Sequence, residues 1–377
     1  MNLDFSDDQK ELQDQVRRYL TEKCPTTAVR AILEGPEPFD RALYQGLGEM
    51  GALGVAIPEA YGGMGLSHLE LCLVAEELGR AIAPVPASSS IYLAAEFLLQ
   101  AGTEAQKQAW LPKLASGEAV GTFAFVEGQG RMTADKIHAS VKDGKLSGVK
   151  GPVPDGDSAD VAIVAARSGP GRGENAISLF VVDLSGPGVK CESLETIDPS
   201  RSYARITFDA APAEALGGEG DGWRIAEQVM DRAAILMAFE QVGGADKALE
   251  MARDYALDRM AFGRPIGSLQ AIKHLLADMY VSATLARSNC YYGAWALASS
   301  AAELPIAAAT ARVSATQAFQ HCAKNNLQTH GGMGFTWAFD CHLYYRRSNA
   351  LALSLGSLST WEDLLIERMR GANTAAA

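Results

Sequence analysis

The sequence predicts an α+β fold: a helical N-terminal domain, a middle β domain, and a C-terminal bundle of four helices. Three observations predict it. Apolar residues recur at helical spacing up to about residue 120, short β-rich runs broken by Gly, Asp and Pro clusters follow, and helical spacing returns near Trp223. Helices and strands that are segregated along the chain, not alternating, mark α+β architecture. The expected divisions are 1–120, 121–215 and 216–377. With 377 residues, the chain is long enough for two or three packed units.

The elements follow in order. Ser6 with Gln9 three residues later fits a capping box, and Phe5, Leu12, Val16, Tyr19 and Leu20 then give one apolar helical face. Leu43, Leu47 and Met50 continue helical spacing to Gly51, after which a segment with two Gly-rich turns, L-G-V-A-I-P-E-A-Y-G-G-M-G-L-S, breaks it. Buried helices are expected over Leu69 to Leu78 and Ser89 to Gln100, and a further helical segment over Lys107 to Leu114. Strands are expected at Thr122 to Val126, Val161 to Val164, Ile177 to Val182 and Ala204 to Phe208. Ser168 to Glu174 reads as a solvated turn, with no Gly-Lys-Ser/Thr to make it a phosphate loop. Val229, Ile235, Leu236, Val242, Leu249 and Met251 then form a long helical pattern, followed by helices from Ile266, from Ile306 and from about Cys341.

Composition excludes several classes of function. A net charge of -12 argues against nucleic acid and against an anionic membrane surface as partners. No apolar run approaches the roughly twenty residues that span a bilayer. The N-terminus M-N-L-D-F-S-D-D-Q-K carries acids where a signal peptide carries bases, so the expected location is the cytoplasm. The six cysteines form no C-x-x-C pair, and no His, Cys or acid spacing suggests a metal.

Two stretches carry the chemistry. In Y-A-L-D-R-M-A-F-G-R-P-I-G-S-L-Q, Gly263, Pro265 and Gly267 interrupt a helix and leave Arg259, Phe262 and Gln270 at a junction between two helices. A guanidinium suits phosphate, a ring suits a flat heterocycle and an amide suits its polar edge; together they suit a dinucleotide. In Gln328-Thr329-His330-Gly331-Gly332-Met333-Gly334, glycines after a helical run let backbone approach a ligand closely. The pair R-x-x-F-G…Q and Q-x-x-G-G-x-G, in that order and separation, resembles the C-terminal domain of the acyl-CoA dehydrogenase family. Val55 to Gly65 resembles the family's V-P-E-x-Y-G-G-x-G element, so the resemblance covers nearly the whole chain.

The resemblance implies an FAD-dependent oxidation of an acyl-CoA thioester to the enoyl-CoA. A carboxylate takes the α proton, hydride leaves the β carbon for the flavin, and electrons pass on to an electron-transfer flavoprotein. It also implies that the isoalloxazine lies in one subunit while a neighbour's Arg, Phe and Gln/Gly-Gly residues hold the adenine end. Arg259, Phe262, Gln270, Gln328, Gly331 and Gly332 match that second half. The first half is poorly matched: T-E-P-x-x-G-S-D is replaced by Val126-Glu127-Gly128-Gln129-Gly130-Arg131-Met132-Thr133, and W-[IV]-T by Pro152-Val153-Pro154. The family's two base positions fall on Leu355 and Ala233, neither of which accepts a proton. Asp231 and Glu240 are the acids nearby on the same helix.

Three readings follow. The chain resembles the subunit without a catalytic base in a heteromeric (α2β2) acyl-CoA dehydrogenase, a bacterial type that includes enzymes of steroid side-chain degradation. Alternatively it is a self-sufficient homotetramer with a relocated base, Asp231 or Glu240, or a flavin-free scaffold with the same fold. His342 with Arg346 and Arg347 reads as a solvated basic face, and His330 as a structural hydrogen bond.

Overall fold

Ser6 opens the first helix as its spacing to Gln9 predicts: its Oγ accepts from the Gln9 N–H at 3.2 Å and Gln9 Oε1 accepts from the Ser6 N–H at 2.9 Å. In the computed structural model, which describes residues 5–375, the helices begin α1 (Asp7–Lys23), α2 (Thr26–Glu34), α3 (Arg41–Glu49) and α4 (His68–Arg80). Met1 to Asp4, the start of the acidic N-terminus, lie outside the described residues. Next, α5 (Ala87–Ser89) runs through a π-helical stretch, Ser90–Ala95, into α6 (Glu96–Ala101), and α7 (Glu104–Ala115) follows.

Strands β1 (Gly121–Ala124), β2 (Ser140–Lys142), β3 (Lys145–Pro154), β4 (Val161–Arg167), β5 (Ile177–Asp183), β6 (Val189–Ser193), β7 (Tyr203–Pro212) and β8 (Glu214–Leu216) come next. The chain then returns to helix in α8 (Gly222–Asp258), α9 (Gln270–Ala298), α10 (Leu304–Thr329), α11 (Cys341–Leu353) and α12 (Leu358–Ala375). A hairpin of β9 (Met260–Ala261) and β10 (Arg264–Pro265) separates α8 from α9. This is the α+β order of helices, strands and helices.

By compactness the residues divide into two units, Met1–Val29 with His68–Ala83 and Ala234–Ala377, and Arg30–Ser67 with Pro84–Ala233. In the helical unit, α4 crosses α8 at backbone contact. A Cβ on Gly79 would lie 1.7 Å from the Glu240 carbonyl oxygen, and one on Gly243 would lie 1.9 Å from that of Glu76. Glycine is required at both positions because nothing larger fits. Charges then fix α4 in place: Glu77 accepts from Arg17 of α1 at 2.7 and 2.9 Å, and Glu76 accepts from Arg287 of α9 at 2.9 Å. Burial raises the Glu76 pKa, and the Arg287 guanidinium opposes the rise.

Arg312 on α10 is buried and donates to Gln241 at 2.6 Å and to the Ser354 carbonyl at 2.6 Å, tying α8 and the end of α11 to α10. The expected basic face on α11 does not form. Arg347 is buried and donates to the Ala83 carbonyl at 3.1 Å, while His342 stacks on Trp337 at 4.5 Å. Helical periodicity turned Arg347 inward, where a carbonyl was available to it.

In the sheet unit the strand order is β6-β7-β3-β2-β4-β5-β8, with β1 paired in parallel to β4. β4 is buried over Val161 to Ala166, consistent with its unbroken apolar run. The ten-residue β3 was not among the expected strands. Gly148, Gly151, Pro152 and Pro154 depress its β propensity, yet it pairs with β7 through register shifts at Leu146/Gly148 and Lys150/Val153. Phe97, Phe123, Phe125 and Trp223 form a chain of rings at 4.4, 5.3 and 5.5 Å across this unit.

Candidate functional site

The first motif is built by the end of α8. After Asp258 the Arg259 N–H bonds to the Tyr255 carbonyl at 2.8 Å, and Ile266 N–H bonds to the Arg259 carbonyl at 2.8 Å, closing the base of the β9–β10 hairpin. Phe262 and Gly263 form its two-residue turn, both left-handed, with φ of 52° and 74°. Glycine accepts this conformation freely; phenylalanine adopts it at a cost. The result is a ring held out from the protein, 92% exposed, next to the exposed Arg259. Gln270, also exposed, is the first residue of α9.

The second motif ends α10. Gln328 is exposed near the C-terminus of the helix, and Gly331 lies at φ 58° in the 3-10 turn Gly331–Phe335. A Cβ built on Gly331 or Gly332 meets nothing within 4 Å, so open space stands over both. Gly334, by contrast, packs on the Leu327 carbonyl at 2.4 Å from its built Cβ.

A contact that sequence reasoning missed joins the two motifs. The Tyr255 and His330 rings stack with centroids 4.1 Å apart and planes 25° from parallel, and Phe339 meets them edge-on at 6.2 and 5.8 Å. His330 Nδ1 donates to the Asn326 carbonyl at 2.9 Å, which is the structural hydrogen bond expected of it. Burial lowers the His330 pKa, opposed by that bond. The only signal in the sequence was a Tyr one turn before Arg259 and a His just before Gly331. Thus Arg259, Phe262, Gln270, Gln328, Gly331 and Gly332 all lie in the helical unit, with Tyr255 and His330 linking their two segments. A cation, an exposed ring, two amides and open glycine backbone suit the phosphates and base of a nucleotide.

The two positions where the resemblance expects a base, Leu355 and Ala233, carry no carboxylate. Leu355 is half-buried in a turn at φ 61°, followed by Gly356 at φ 101°, and its carbonyl accepts from Trp361 Nε1 at 3.0 Å. Ala233 is buried on α8. Glu240, also buried, lies two turns further along roughly the same face, about 10 Å along the axis. Asp231, buried as well, points to roughly the opposite side of the helix from Ala233.

In the sheet unit, Glu127 and the β3 segment Pro152 to Pro154, where the resemblance expects a flavin-ring cradle, make hydrogen bonds within the chain. The Glu127 carboxylate accepts from the His138 N–H at 2.7 Å, the Ala139 N–H at 3.1 Å and Lys150 Nζ at 2.6 Å. Burial of Lys150 pushes its pKa down to about 8, against the pull of Glu127. Pro152 and Pro154 have no N–H, and the Pro154 carbonyl accepts from Thr122 Oγ1 at 2.6 Å. Asp155 accepts from Ser89 Oγ at 2.5 Å and pairs with Arg201 at 3.5 Å. Lys150, Asp155 and Arg201 were missed; the available signal was a lysine at an inward position of a strand, which must find an acid. Among the described residues there is no cluster of metal-ligating side chains, and no helix is long and apolar enough to cross a membrane.

Residues 6–118 match the family model for the acyl-CoA dehydrogenase N-terminal domain, and residues 220–369 match that for the C-terminal domain. The chain is 33% identical to acyl-CoA dehydrogenase IpdE2 of Mycobacterium tuberculosis, over 92% of this chain and 92% of that protein. Its fold superposes on a chain of the ChsE4-ChsE5 complex from Mycobacterium tuberculosis with a TM-score of 0.88 at 26% identity, covering 100% of both chains. It superposes equally on a chain of a variant of the Tcur3481-Tcur3483 steroid ACAD, with a TM-score of 0.87 at 30% identity over 98% of this chain and 99% of that one. This chain is therefore a member of the acyl-CoA dehydrogenase family, whose members are FAD-dependent flavoproteins.

Proposed function

We propose that this chain is the subunit without a catalytic base in a heteromeric acyl-CoA dehydrogenase, completing the FAD site of a second, base-bearing chain. The observation that carries the proposal is the Phe262 turn. A bulky ring is held at φ 52° and 92% exposed beside Arg259, while Leu355 and Ala233 put no carboxylate at the two positions where the resemblance expects a base. Strained, outward-facing aromatics persist where something binds them. Arg259 would neutralise phosphate, Phe262 would offer its ring to the adenine, Gln270 and Gln328 would supply amides to its polar edge, and the open Gly331–Gly332 backbone would leave room for the nucleotide to approach.

FAD, when bound, supplies the hydride acceptor for α,β-desaturation of an acyl-CoA, and an electron-transfer flavoprotein takes up the electrons. The carboxylate that takes the α proton, as hydride leaves the β carbon, would come from the partner chain. Relatives whose names pair two chains, ChsE4 with ChsE5 and Tcur3481 with Tcur3483, favour a heteromer, and the latter favours a steroid-derived acyl group. We place the enzyme in the cytoplasm.

Co-expression with a base-bearing dehydrogenase chain, followed by flavin counting, tests the proposal. The expected result is a colourless chain alone and a yellow, active α2β2 assembly whose flavin is lost in Arg259→Ala. Stoichiometric FAD and acyl-CoA oxidation by the chain alone would overturn it. A second reading, the self-sufficient homotetramer, is favoured by Glu240 sharing a face of α8 with Ala233. It requires that Glu240→Gln or Asp231→Asn abolish turnover with flavin retained.

A further inference from the structure

We propose that the stacked rings of Tyr255 and His330 are the joint that holds the Phe262 hairpin in register with the Gly331–Gly332 turn. Both residues thereby act as positioning residues for the adenylyl half of FAD. This rests on the assignment of those two segments to nucleotide binding made above.

Both segments need such a joint. Met260, Phe262 and Arg264 of the hairpin are exposed, so its own side chains do little to fix it, and nothing lies within 4 Å of a Cβ built on Gly331 or Gly332. The two rings, by contrast, are tied directly to the segments they would align. The Tyr255 carbonyl accepts the Arg259 N–H at 2.8 Å, so a displaced Tyr255 carries Arg259 with it. His330 caps α10, with its N–H and its Nδ1–H both directed at the Asn326 carbonyl, at 3.2 and 2.9 Å, and the next residue is Gly331. Since a carbonyl only accepts, Nδ1 carries the proton and the plane of the ring is fixed. Phe339 meets both rings edge-on, and Ala256 packs its carbonyl against Gly267 on the far side of the hairpin, 2.9 Å from a built Cβ.

A pair of aliphatic side chains would fill the same volume without setting a plane. Stacked rings fix both spacing and rotation, which is what two separated contacts on one rigid ligand require.

The test is done on the deflavinated assembly that the chain forms with its partner subunit. It compares dissociation constants for FAD and for FMN, which lacks the adenylyl half, with melting temperature measured in parallel. Tyr255→Leu is expected to weaken FAD binding by about tenfold or more, leave FMN binding within about twofold, and barely move the apo melting temperature; Tyr255→Phe should retain FAD. Arg259→Ala should cost less in the Tyr255→Leu background than in the wild type, because the guanidinium is already displaced. His330→Leu repeats the measurement from the other ring, should Tyr255→Leu fail to fold.

Wild-type FAD affinity in Tyr255→Leu, with Arg259→Ala impaired, would overturn the joint and leave the nucleotide assignment standing. Equal losses of FAD and FMN with a lowered melting temperature would reduce Tyr255 to an ordinary packing residue. Unchanged FAD affinity in both Arg259→Ala and Phe262→Ala would remove the nucleotide assignment and the joint with it.

Discussion

Phe262 separates function from stability at a single residue. Its left-handed backbone costs on the order of 1 kcal/mol, and a glycine would relieve that cost while adding about as much unfolded-chain entropy. Phe262→Gly is therefore expected to leave the apo melting temperature within about 2 °C of the wild type while weakening FAD uptake by about tenfold, measured by flavin titration. His330 supplies a pH dependence. Burial lowers its pKa below the ordinary 6.5, so the folded protein favours the neutral ring. The stability this contributes is complete above pH 6.5 and is lost as the pH falls through the lowered folded value. Tyr255, Phe339 and the Asn326 carbonyl pack around it. Denaturant midpoints below pH 6.5 should fall, and His330→Phe should remove that step. The junction between α8 and α9 that carries Arg259, Phe262 and Gln270 was legible in sequence because Gly263, Pro265 and Gly267 interrupt the helical spacing there. The Tyr255–His330 stack was not, because no local pattern pairs residues on two different helices.

At the scale of elements, the helices were the most legible part, since their apolar spacing and caps are local. Two strand features were hidden for an equally physical reason. β3 carries Gly and Pro inside a ten-residue strand and survives because β7 on one side and β2 on the other supply the pairing. The β9–β10 hairpin looked like a plain helix break, because its turn uses Phe at a position where Asn or Gly is the usual choice. Within β3, Lys150 is fully buried against Glu127, which also caps the His138 and Ala139 N–H groups. Removing one partner of such a pair strands the other charge. Lys150→Met should therefore cost about 3–5 kcal/mol in chemical denaturation, and a Lys150→Met/Glu127→Gln double variant should cost less than the single one.

For the whole molecule, what matters is that the departures that the resemblance reads from the sequence fall at separate places in the chain. At the positions where the resemblance expects a base stand Leu355, in the helical unit, and Ala233, at the edge of the sheet unit, while Pro152 and Pro154 leave β3 of the sheet unit without two backbone donors. Arg259, Phe262, Gln270, Gln328, Gly331 and Gly332, all in the helical unit, keep the residue types that the resemblance expects. Sequence alone shows which residue types stand at these positions, a Leu, an Ala and two prolines. It did not expose how Glu127, Asp155 and Arg201 are engaged, since that depends on packing. If the losses are separate, returning one acid does not return the chemistry. Leu355→Glu is a mild change, because Glu and Leu tolerate the φ of 61° equally, so the variant should fold with stability within about 0.5 kcal/mol of the wild type. Expressed without a partner, it should neither gain FAD nor oxidise any acyl-CoA in a dye-reduction assay. Turnover by Leu355→Glu alone would mean that the Pro152–Pro154 segment is no obstacle to the flavin ring, and that the chain is a complete dehydrogenase lacking a single carboxylate.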